Sequence, residues 1–184
     1  VLNIMDWRAK FSWLCLGLIL GGGLIYAFIL AVDPYANVPF SLNMDRVPIS
    51  QNQRFAYPSI ARNDKFDSVI IGTSTARLLD PKRLRQSGHN FANLAMNSAT
   101  PYEQKKMLEL FLRFHPEPRA VLLSVDSVWC DDSYGPTDFT FRAFPEWMYD
   151  SNDFNDLLYL FNDKSLENSV RIVDFWCGKR KARY

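Results

Sequence analysis

Apolar positions are most densely gathered between Phe11 and Val32, FSWLCLGLILGGGLIYAFILAV, 22 consecutive residues without a charge. A helix of that length, rising about 1.5 Å per residue, covers roughly 33 Å and so matches the ~30 Å hydrocarbon core of a bilayer. A buried helix of a soluble domain seldom goes this long without a polar face. A cleavable signal peptide has an apolar region of only about 7–15 residues and a small-residue cleavage site, and no such site precedes Asp33-Pro34. The pattern predicts an uncleaved transmembrane helix over 11–32. Arg8 and Lys10 precede it, and no basic residue follows until Arg46. The positive-inside rule then leaves residues 1–10 in the cytoplasm and the bulk of the chain on the far side. Gly17 and Gly21 have the G-x-x-x-G spacing that lets a second helix approach, although glycine is also simply frequent in membrane helices.

Beyond the helix, residues 33–66 are rich in Pro, Asn and Ser and show no sustained period, as expected of a connecting segment. From residue 67 to 184 the pattern becomes that of an α/β domain. Asp67-Ser68-Val69-Ile70-Ile71-Gly72 reads as a buried parallel strand ending in glycine. Phe91–Ala95 is a weaker strand and Ala120–Asp126 the strongest. Between the last two, Thr100, Pro101 and Glu103 form a T-x-x-E capping box with proline at the first helical position. Met107, Leu108, Phe111 and Phe114 then recur at helical spacing until His115-Pro116 stops the helix. Strand, helix, strand implies parallel pairing with a right-handed crossover. Residues 127–150 carry seven aromatics without a period; a lid, a membrane-facing surface, a docking loop and self-packing all fit. Helices are expected near 154–161 and 166–177, and the chain closes on a basic run, Gly178 to Tyr184.

Composition narrows the functional classes. A formal net charge of +1 over 184 residues lacks the basic footprint of a nucleic-acid binder. Two histidines and three cysteines share no ligand spacing, so no metal is expected, and no cofactor motif is present. Cys130 and Cys177 both fall beyond the predicted span and would be available to pair in an oxidising compartment.

The chemistry is concentrated in Val69-Ile70-Ile71-Gly72-Thr73-Ser74-Thr75-Ala76-Arg77. Ser74 follows a strand and its terminal glycine, at a point where a helix would begin. Open α/β sheets bind ligands at that carboxyl edge, and a helix N-terminus there would offer N–H groups to an oxyanion. The phosphate-loop pattern is absent, and Ala76 breaks the G-x-S-x-G elbow.

Ile71-Gly72-Thr73-Ser74 resembles the first sequence block of the SGNH hydrolase superfamily. The likeness is to its membrane-anchored bacterial branch, which includes proteins of alginate O-acetylation and teichoic acid D-alanylation. Asn93-Leu94-Ala95-Met96-Asn97-Ser98-Ala99-Thr100 resembles the second block, with Ser98 at its oxyanion-hole glycine. Leu123-Ser124-Val125-Asp126-Ser127 falls at the third, with Asp126 in place of an asparagine. Asp33-Pro34-Tyr35 is also similar to this branch. The resemblance implies a flavodoxin-like sheet, of which this chain carries the first part, anchored in a bacterial inner membrane and acting outside the cytoplasm. It implies Ser74 as nucleophile, an acylated envelope glycan as substrate, and other membrane protein subunits as partners besides the bilayer. The family's closing Asp-x-x-His has no counterpart: Asp174-Phe175-Trp176-Cys177 has cysteine at the histidine position. The expectation is therefore an acyl-ester hydrolase or O-acyltransferase whose base lies beyond Tyr184, or a catalytically silent accessory subunit of a membrane complex.

Overall fold

A computed structural model of the chain describes residues 4–38, 41–42, 53–84, 88–151 and 153–179. The chain is mixed α/β, with a three-stranded parallel sheet and one long apolar N-terminal helix. It divides into two compact units, residues 1–47 with 157–184, and residues 48–156. The helix expected at 166–177 therefore groups with the N-terminal helix and not with the sheet, and the one expected near 154–161 is divided between the two units. Residues 180–184, most of the basic run, lie outside the described residues.

In the first unit, α1 (Ile4–Val32) is long and apolar enough from Trp7 to Val32 to cross a membrane. Most of its apolar surface faces outward, Ile19 at 70% and Leu24 at 73% exposure among it. An added Cβ at Gly17 or Gly21 would meet nothing within 4 Å, so the small-residue stripe is not filled by this chain's described residues. The helix ends at Asp33, whose N–H returns to Ile29 O while its φ is +47°. Residues other than glycine occupy this region at a cost. Here the buried carboxylate accepts from Asn37 N, Val38 N and Ser41 Oγ, which holds the Asp33-Pro34-Tyr35 turn in place. α6 (Asp163–Trp176), capped by Asn162, packs on α1. Asn168 donates to Tyr35 Oη, and Tyr26 Oη donates to Leu157 O.

In the second unit, β1 (Ser68–Ile71) lies between β2 (Phe91–Asn93) and β3 (Ala120–Leu123), all parallel, in the order β2-β1-β3. Ser68 stands opposite both Phe91 and Ala120. All four β1 side chains are buried, as a central parallel strand requires, and each large one contributes about 1.5–3 kcal/mol. Ile70, Ala76, Phe91 and Ala95 form a core cluster with Leu84, Ala120 and Leu122 against it. β3 alternates half-buried and exposed positions, as an edge strand does. The crossover helix α4 (Pro101–Phe114) carries the complete expected capping box, Thr100 Oγ1 accepting from Glu103 N and Glu103 returning to Thr100 N.

The expected connecting segment holds a helix, α2 (Gln53–Ala61), with Pro58 inside it. Proline cannot donate to the carbonyl four residues back. That carbonyl, Arg54 O, instead accepts from Tyr149 Oη at 2.8 Å. The expected helix after Ser74 is only a three-residue 3-10 turn, Ala76–Leu78, followed by the short α3 (Pro81–Leu84). Pro81 disfavours helical backbone at Asp80 and so stops the turn from growing. Asn93 Nδ2 closes it by donating to Ala76 O and Leu79 O. Residues 127–150 hold two further 3-10 turns, and several of their aromatics pack on one another and on α4, Tyr102 on Phe139, Phe139 on Phe144 and Phe144 on Tyr149.

Candidate active site at the carboxyl edge of the sheet

Three loops leave the strands at one edge: Gly72–Thr75 after β1, Leu94–Ser98 after β2, and Ser124–Ser127 after β3. Backbone bonds join them, Met96 N donating to Gly72 O at 3.0 Å and Ser124 N to Ile71 O at 2.8 Å. Gly72 is compulsory at this junction. A Cβ there would lie 2.7 Å from Ala76 Cβ and 2.8 Å from Ser124 Cβ, distances that real Cβ atoms essentially never show.

The side chains diverge beyond that glycine. Thr73 is buried and donates through Oγ1 to Asp126 Oδ2. Ser74 is exposed. Asp126 also accepts from Val128 N at 3.3 Å, capping the turn Ser127–Cys130. It acts as an acceptor in both contacts, so it takes no donor role there. Those two bonds engage its carboxylate with Thr73 of the first loop and with its own loop.

Ser98 is exposed and has φ +52°, a conformation in which glycine is the unstrained residue. Arg54 holds this strained loop. Its Nη atoms donate to Asn97 O at 3.2 Å and Ser98 O at 3.4 Å. The same guanidinium forms a fully buried, two-pronged ion pair with Glu103 and reaches Thr140 Oγ1. Glu103 in turn accepts from Thr140 N. Arg77 donates to Asn97 Oδ1 at 2.8 Å, tying the first loop to the second. Arg54 falls in the stretch whose sequence shows no period, and no local signal marks it; Glu103 is legible only as a cap.

Neither histidine reaches this edge. His89 precedes β2 and His115 precedes β3, which places both at the sheet's amino edge. His115 stacks on Phe111, and its ring nitrogens Nδ1 and Nε2 lie 3.1 Å from Phe111 O and 3.2 Å from Asn63 O. Also near the amino edge, Asp67 accepts from Ser68 Oγ and Asn90 N and lies near Arg119. The Ser68 hydroxyl first, then the Asn90 N–H, hold its carboxyl below the ordinary carboxylate range. Asp174 and Cys177 belong to the unit that contains α1. Cys15, Cys130 and Cys177 are free thiols. Among the described residues no group of three or more His, Cys, Asp or Glu is placed to hold a metal ion.

No family model, curated protein or solved structure matches this chain.

Proposed function

We propose that the chain is a membrane-anchored, extracytoplasmic SGNH-like protein of the acyl-ester hydrolase or O-acyltransferase type, with Ser74 as its nucleophile. The observation that carries this reading is the carboxyl edge itself. An obligatory glycine ends the central strand, an exposed serine follows two residues later, and Ser98 adopts a glycine-like φ of +52° where the family motif has glycine. The order β2-β1-β3 is also that of the first three strands of a flavodoxin-like sheet. The largely outward-facing apolar side chains of α1 support anchoring in a bacterial inner membrane, because water would otherwise solvate them.

In the reaction Ser74 Oγ attacks the carbonyl carbon of an acyl ester on an envelope glycan. A C–O bond forms to the serine, and the tetrahedral oxyanion accepts from the backbone N–H groups of Ser74 and Ser98. The serine proton passes to a base and on to the leaving alcohol as the ester bond breaks. Water or a sugar hydroxyl then takes the acyl group. With both histidines at the opposite edge, neither is placed to be that base.

That same placement of the histidines, with Asp126 engaged as an acceptor, favours a second reading: an accessory subunit of a membrane complex that does no chemistry. Fluorophosphonate labelling in native membranes separates the two. The enzyme reading predicts one labelled site, lost in Ser74→Ala and retained in Thr75→Ala. No labelling, together with stoichiometric co-purification with membrane subunits that is unaffected by Ser74→Ala, would leave the subunit reading.

A further inference from the structure

The unit that contains α1 carries a second apolar feature besides the helix. Leu157-Leu158-Tyr159-Leu160-Phe161 is five consecutive apolar or aromatic residues at the corner between α5 (Asp153–Tyr159) and α6. Leu160 is buried, but Leu158 is 76%, Tyr159 55% and Phe161 56% exposed. The corner is fixed against one level of α1: Phe161 meets the Tyr26 ring edge-on at 5.5 Å, and Leu157 O accepts from Tyr26 Oη at 2.6 Å.

Helix length decides the depth of that level. The 26 residues from Trp7 to Val32 rise about 39 Å, roughly 9 Å more than the hydrocarbon core. That excess is about six residues, so the outer hydrocarbon boundary falls between Tyr26 and Val32, and tilt moves it further out. Keeping Arg8 and Lys10 among the headgroups sets it near Leu30. Tyr26 then lies at the boundary or just inside it, and so does the corner bound to it.

The backbone of the corner is built for a place with little water. Phe161 N returns to Leu158 O and Asn162 N to Leu160 O. Asn162 Nδ2 donates to Tyr159 O, while its Oδ1 accepts from Ser165 N. With Leu157 O taken by Tyr26, every carbonyl from 157 to 160 has a donor, which lipid demands and water does not. Exposed Asn162, Asp163 and Lys164 follow immediately, and their polarity stops penetration at the headgroups.

We infer that the 157–161 corner is a second membrane contact, immersed in the outer headgroup and upper acyl region beside the anchor. This rests on the anchoring of α1 proposed above. The partner is a lipid surface, and the contact would fix how α1 leaves the bilayer.

The test uses the full chain, with its native cysteines replaced, in phosphatidylethanolamine–phosphatidylglycerol nanodiscs. Nitroxides are placed singly at Leu158, Tyr159, Ile19 and Lys105, all exposed and so tolerant of the label. Collision with oxygen and with a water-soluble nickel chelate is measured. The inference predicts oxygen-to-nickel ratios at 158 and 159 several-fold above that at 105 and below that at 19. Ratios at 158 and 159 equal to that at 105, with 19 in lipid, would overturn the inference and leave the anchor standing. Protection of 158 and 159 from both reagents would mean that protein covers the corner and would overturn it as well. Nickel access at 19 would overturn the anchor and the inference together.

Discussion

Ser98 concentrates the residue-scale argument, because a serine is held where glycine would be unstrained. Glycine there removes about 1–2 kcal/mol of left-handed strain and adds about 0.4–1 kcal/mol of unfolded-state entropy. Ser98→Gly should therefore be neutral or slightly stabilising, whereas Ser98→Val, β-branched, should be clearly destabilising. Chemical denaturation in detergent ranks the variants, and a Ser98→Val chain as stable as the parent would contradict the strain. Asp67 gives a pH prediction. Its carboxyl is held low, so its contribution is present above the ordinary carboxylate range and lost as pH falls through the lowered value. Removing the principal cause with Ser68→Ala should reduce the loss of thermal stability between neutral and acid pH. An unchanged pH profile would exclude that hydroxyl as the cause.

Among the elements, α2 and α4 show what the sequence makes legible. Thr100, Pro101 and Glu103 predict the start of α4 because a cap is a local device, complete within four residues. The partner of Glu103, Arg54, is 49 positions away, and no local pattern can reveal it. α2 is hidden for a related reason: Pro58 argues against a helix unless something else bonds Arg54 O, and Tyr149 does so from 95 positions away. The strands are legible as short apolar runs, β-branched in β1 and weakest in β2, but the helix expected after Ser74 is cut to a turn by Pro81. Of the candidate site, the order of hydroxyls can be read along the chain, whereas the turning of Asp126 toward Thr73 is a tertiary event. A double-mutant cycle tests the α2 account. Tyr149→Phe should cost about 1–3 kcal/mol by leaving Arg54 O unsatisfied. In a Pro58→Ala background the cost should shrink, because the backbone N–H restored by that substitution can take the carbonyl. Equal costs in the two backgrounds would show that the carbonyl is not the issue. Arg54→Met, which leaves the Glu103 charge buried alone, should be costlier still, about 3–5 kcal/mol.

On the scale of the whole molecule, an outward-facing apolar helix and a parallel sheet whose carboxyl edge carries an exposed serine occupy separate units of one chain. As proposed above, the helix is an anchor and the sheet belongs to the domain it presents, with Ser74 open to solvent outside the cytoplasm. In that proposal the direction rests on the two basic residues Arg8 and Lys10 before the apolar helix. The most direct test is labelling by a membrane-impermeant maleimide in intact spheroplasts, using cysteine-free chains that carry Ser74→Cys or Trp7→Cys. The account predicts that position 74 labels from outside and that position 7 labels only after the membrane is opened. Labelling of position 7 from outside, or protection of position 74 until lysis, would contradict it.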